Sequence, residues 1–92
     1  MMTFIMFGKY SIEGLKAVSE ERTKKSVDLL EKLGGKVKAI YVLLGEIDLL
    51  VIVEFLGFKE AMRASVELAK LLGISLTTAP AVAAEEFDRL IK

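Results

Sequence analysis

The segment Lys36-Val37-Lys38-Ala39-Ile40-Tyr41-Val42-Leu43-Leu44-Gly45-Glu46-Ile47-Asp48-Leu49-Leu50-Val51-Ile52-Val53-Glu54-Phe55 decides the fold. Val, Ile and Leu dominate it, and these residues suit a pleated, half-buried surface. Gly45-Glu46 interrupts it near the middle. The pattern predicts two strands, Lys36 to Leu44 and Ile47 to Phe55, joined by a two-residue hairpin with Gly at its first central position. Such a turn pairs Leu44 with Ile47, Leu43 with Asp48, Tyr41 with Leu50 and Ala39 with Ile52. Alternation then sorts the side chains onto two faces. One set is Ile40, Val42, Leu44, Ile47, Leu49, Val51, Val53 and Phe55, with Lys38 at its end. The other is Val37, Ala39, Tyr41, Leu43, Asp48, Leu50, Ile52 and Glu54. Both sets are mainly apolar.

Working outward, Met2 to Tyr10 reads as a first strand, and Ser11 to Val18 as a short segment with one helical turn. Ser19 is placed to cap a helix by accepting a free N–H of the first turn. Glu20 and Glu21 follow where the helix dipole favours anions. Thr23, Ser26, Val27, Leu30 and Leu33 share one face, and Gly34-Gly35 ends the helix. Beyond the hairpin, Phe58 to Leu72 forms a second helix, with Ala61, Ser65, Leu68 and Leu72 on one face and Ala64 and Leu71 beside it. Gly73 stops it. Ile74 to Val82 is a fourth strand, placed at a sheet edge by Pro80. Ala83 to Lys92 closes the chain as a short helix with a stripe of Phe87, Leu90 and Ile91.

The order β-α-β-β-α-β is the split, ferredoxin-like arrangement. It predicts an α+β sandwich, one domain over residues 1–92, with a four-stranded antiparallel sheet and both helices on one face. The other face is left open. An antiparallel sheet with a solvated face should be polar there, and the set containing Tyr41, Leu43, Leu50 and Ile52 is not. Burying those four would contribute about 6–12 kcal/mol per subunit, at roughly 1.5–3 each. Association costs an estimated 4–15 kcal/mol, and two subunits contribute. The expected partner is therefore a second copy, packed face to face.

Bulk composition points the same way. Hydrophobic residues make up 53% of the 92, with a mean hydropathy of +0.48. This exceeds the roughly 45–50% of an ordinary soluble domain, and a chain this small has little interior in which to hide the surplus. A membrane is a poor alternative, since Glu46, Asp48 and Glu54 interrupt the most apolar stretch, Ala39 to Phe58. Each carboxylate would cost about 2.5–3.5 kcal/mol at a bilayer centre. No signal peptide is read at the N-terminus, so a cytoplasmic location is expected. Thirteen basic and thirteen acidic residues give zero formal net charge. Without a basic stripe, a nucleic-acid partner is not expected.

The chain has no His and no Cys. Triads built on those residues are excluded, as are zinc sites that depend on them. No phosphate-binding glycine run is present, and no cofactor or metal is expected. A general base would have to be a carboxylate, Tyr or Lys. Asp48 is the first candidate because it stands beside the turn on the expected open face. Its ordinary role there would be to accept turn N–H groups. Tyr41 lies on the same face and suits an interface anchor. Lys9 and Tyr10, at the end of the first strand, are candidates for a cleft beside the sheet, and Gly45 completes the set.

Gly8-Lys9-Tyr10, Glu13-Gly14-Leu15-Lys16, Leu33-Gly34-Gly35-Lys36-Val37-Lys38, Leu44-Gly45-Glu46-Ile47-Asp48 and Glu85-Glu86-Phe87 together resemble the GYD-domain family, in order and across nearly the whole chain. The name-giving Gly-x-Tyr-Asp run appears as Gly45-Glu46-Ile47-Asp48, with Ile in place of Tyr. The resemblance implies a prokaryotic protein and a dimeric α-β barrel, two sheets packed face to face, with no settled activity to carry over. A similar hairpin marks the effector domains of leucine-responsive regulators, which bind small molecules at subunit interfaces. Three functions stay open at this point. The first is a homo-oligomeric small-molecule-binding or regulatory module. The second is a cofactor-independent isomerase or oxygenase using Asp48 with Tyr41 or Lys9. The third is a purely structural assembly unit.

Overall fold

A computed structural model describes all residues, 1–92. Four strands form one antiparallel sheet: β1 (Met2–Lys9), β2 (Lys36–Val42), β3 (Leu49–Phe55) and β4 (Ser75–Ala81), in the order β2-β3-β1-β4. Between them run α1 (Ile12–Lys16), α2 (Glu20–Lys32) and α3 (Phe58–Leu72), and α4 (Ala84–Leu90) follows β4. This is the ferredoxin-like α+β fold, with β1 and β3 central and Pro80 on an edge strand.

The helix boundaries follow from local chemistry. The Ser19 hydroxyl accepts from the Arg22 N–H at 3.1 Å and caps α2. Gly34 and Gly73 follow α2 and α3 with φ of 93° and 67°, a left-handed conformation that costs Gly little. α2 and α3 cover one sheet face. Phe4 and Met6 of β1 and Leu49, Val51, Val53 and Phe55 of β3 are buried there with Leu30 of α2 and Ala61, Ala64, Leu68 and Leu72 of α3. Ser65 joins α3 to β4 by accepting from the Thr78 hydroxyl at 2.7 Å. Leu71, expected beside that face, is instead exposed.

Two expectations about the hairpin need correction. The ladder pairs Tyr41 with Leu50 and Ala39 with Ile52 as expected, but it ends at Val42 and Leu49. Leu43 still donates to the Asp48 carbonyl at 3.0 Å, so residues 44–47 form a loop rather than a two-residue turn. A turn with Gly first needs positive φ at Gly45, and Gly45 does not have it. Leu44, expected against the helices, is 81% exposed in that loop. The second correction is a bulge. The register shifts between Val37 and Ala39, pairing Val37 with Val53 and Lys36 with Glu54. Val37 therefore packs against the core rather than on the open face. Lys38, expected at the end of the helix-facing set, takes up the extra position and is exposed. An ammonium is costly to bury unpaired, and the bulge keeps it in solvent while Val37 goes in.

The open face is built mostly from the central strands. Ile5 pairs with Ile52 and Phe7 with Leu50, and these four half-buried side chains form its middle. Ala39 and Tyr41 flank them on β2, and Ala79 and Thr77 on β4. Charged pairs stand at the two ends: Lys36 opposite Glu54, and Lys9 with Asp48 at 3.5 Å. The C-terminal α4 buries none of its own residues. No helix is long and apolar enough to cross a membrane.

Candidate functional site

Four of the five residues singled out in the sequence meet where β1 ends. Asp48 is only 7% exposed, and all its polar atoms are engaged. Its N–H donates to the Gly8 carbonyl at 2.8 Å, and its carbonyl accepts from the Leu43 N–H. One carboxylate oxygen accepts from the Gly45 N–H at 3.3 Å, and the other from the Tyr10 N–H at 3.0 Å. The Lys9 ammonium reaches the same carboxylate at 3.5 Å and donates to the Gly45 carbonyl at 2.6 Å. In Gly45-Glu46-Ile47-Asp48, the first and last residues thus bond to each other and close the loop. Tyr41 is not part of this group. It stands 58% exposed on the open face and makes no side-chain hydrogen bond.

The Gly45 N–H is the main cause that holds the Asp48 carboxyl below its ordinary value of 3.8; burial opposes it, and the Tyr10 N–H and the Lys9 charge add to the lowering. A carboxyl with a lowered folded-state pKa stabilises the fold above its unfolded-state pKa. That contribution is lost as the pH falls through the folded-state value. Asp48→Asn removes it and turns an amide donor toward N–H donors. Denaturant titration is expected to show the variant less stable than the parent at neutral pH, with the difference shrinking in acid. An unchanged difference across that range would show that the charge contributes nothing.

Gly8 pairs with Leu76 and Leu49 in the middle of this region. A Cβ there would lie 2.6 Å from the Ser75 carbonyl oxygen and 2.9 Å from the Leu76 side chain. Glycine lets β1 and β4 stay close while β1 delivers Lys9 and Tyr10 to the Asp48 loop. Lys9 and Tyr10 also line an open groove of about 570 Å³ with Ser11, Lys70, Gly73 and Ile74.

On its other side Tyr10 borders a second space, between the helices and the sheet. This cavity of about 160 Å³ is lined by Tyr10, Arg22, Thr23, Ser26, Ile40, Val42, Leu49, Val51, Leu68 and Leu72. The Arg22 guanidinium lies 5.1 Å from the Tyr10 ring centroid, within the range of cation–π attraction. Its Nη2 is buried without a hydrogen-bond partner. Asp48 lines no cavity.

Sequence reasoning missed Arg22. The available signal was its place four residues before Ser26 and eight before Leu30, both buried on α2. That puts a cation on the inward row, followed by a residue too small to fill the space beneath it.

No curated protein matches the chain. The GYD domain matches residues 4–91, a span that takes in β1 from Phe4 onward, the other three strands, the Gly45–Asp48 loop and the C-terminal helix. The chain therefore belongs to the GYD domain family.

Proposed function

We propose that this chain is a homo-oligomeric small-molecule-binding module in which two copies close their open sheet faces against each other. One observation carries the pairing: Ile5, Phe7, Leu50 and Ile52 make a continuous apolar centre on the face without helices, with charged pairs only at its ends. An apolar middle within a polar rim is the anatomy of a protein interface. Four strands of seven or eight residues, about 4.8 Å apart and rising about 3.3 Å per residue, make a plate of roughly 19 by 23–26 Å. An apolar centre on such a plate suits an interaction surface.

Support for binding comes from the helix side, where a mostly apolar cavity carries a few polar groups, the usual composition of a ligand pocket. A catalytic reading has less support. Asp48, its leading candidate base, is committed to two backbone N–H groups and to Lys9, and it lines no cavity itself. The test is a thermal-shift screen against small metabolites, because a ligand that binds only the folded state raises its melting temperature. At least one compound is expected to raise Tm with a saturating dose response. A screen broad enough to include acids, amines and neutral compounds, with no shift at all, would count against binding.

A further inference from the structure

We propose that the cavity between α2, α3 and the sheet binds a small monocarboxylate with a compact apolar body, held by Arg22. This deepens the proposal of small-molecule binding and rests on it, but does not depend on how the subunits pair. Arg22 has no carboxylate partner among the ion pairs of the chain, and no acidic residue lines the cavity. Its Nη2 is nevertheless buried and unpaired. A buried charged donor left without a partner is costly, and a specific unsatisfied group of this kind calls for a partner such as an ion. The Tyr10 ring steadies the cation but offers it no hydrogen-bond acceptor.

The walls define the rest of the ligand. Ile40, Leu49, Val51, Leu68 and Leu72 surround the space. A volume of about 160 Å³ is close to that of an apolar cavity of about 150 Å³ that admits benzene. One aromatic ring or a branched aliphatic chain of that size fits. A single guanidinium matches a carboxylate, which it can grip with two parallel N–H bonds. It would leave the second charge of a phosphate uncompensated, and a pure hydrocarbon would leave Nη2 unpaired. Val42, 61% exposed, and Thr23, also exposed, stand at the mouth.

The experiment uses the full chain, labelled for amide NMR, with benzoate as the probe and benzamide as its neutral counterpart. Benzoate is expected to move the amides of Arg22, Thr23, Val42 and Leu49 in a saturable way. Benzamide should bind at least tenfold more weakly. Arg22→Gln should reduce benzoate to the level of benzamide, leave benzamide unchanged and leave the fold intact. Val42→Trp, a change at an exposed position, should block both at the mouth. The assignment is overturned if benzoate leaves these amides still at saturating concentration, or if Arg22→Gln binds it as well as the parent does. A metabolite screen that yields ligands but no carboxylate would overturn the assignment while leaving the binding module standing. A screen that yields no ligand would remove both.

Discussion

Ile52→Lys is expected to convert the protein to single, folded subunits. Ile52 stands opposite Ile5 at the centre of the open face, and its loss removes about 1.5–3 kcal/mol of burial. In a two-fold pairing the same surface is used by both partners, so each change counts twice. The total of about 3–6 kcal/mol corresponds to two to four orders of magnitude in the dissociation constant. Two unpaired ammonium groups at the interface add to it. Light scattering at micromolar concentration should give twice the subunit mass or more for the parent and the subunit mass for the variant, with unchanged far-UV circular dichroism. Lys25→Glu, on the exposed side of α2, should leave the mass of the parent intact. A parent that is already monomeric, folded and stable would end the proposal of pairing.

That experiment probes a feature visible in the sequence, because alternation alone separates two apolar sets across Lys36 to Phe55. The helix ends were equally legible: Ser19, Gly34 and Gly73 act through their immediate neighbours. The hairpin was not, for a definite reason. The Asp48 carboxylate takes the Gly45 N–H, and its backbone N–H goes to Gly8, forty residues away in the chain. A contact of that span competes with local turn preference and wins. The bulge at Lys38 has a similar origin, since the alternation rule would send an ammonium toward the helices where Val37 fits better.

The candidate site divides along the same line. Asp48 and Gly45 were recognisable as turn residues, and Lys9 and Tyr10 as the end of a strand. Only the pairing of β1 with β3 brings them together. Tyr41 shares the open face with Asp48, yet its neighbours are the apolar side chains at the centre. The cavity was invisible because it needs α2 and α3 to straddle the sheet, with Ser26 too small to fill what Arg22 leaves.

The largest loss of stability is expected from Phe55→Ala. Phe55 is fully buried at the end of β3, and its ring meets Phe4 edge-on at 6.2 Å. Removing a buried Phe costs about 3–5 kcal/mol, from lost transfer energy and the cavity left behind. Against a total of about 5–15 kcal/mol for a domain, this is a large share. At about 4–8 °C per kcal/mol for a chain of this size, Tm should fall by roughly 12–40 °C at fixed protein concentration. Gly35 gives the loss a second reading. A Cβ at Gly35 would lie 2.7 Å from the Phe55 ring and 2.9 Å from the Leu30 carbonyl oxygen. Gly35→Ala alone should therefore overpack this corner and cost about 1–3 kcal/mol. In the Phe55→Ala background the new methyl enters the space vacated by the ring, so its cost should fall by at least about 0.5 kcal/mol, a coupling typical of residues in contact. Urea titration of the four proteins measures that coupling. Strict additivity would show that the Leu30 carbonyl, rather than the ring, is what excludes a side chain from position 35.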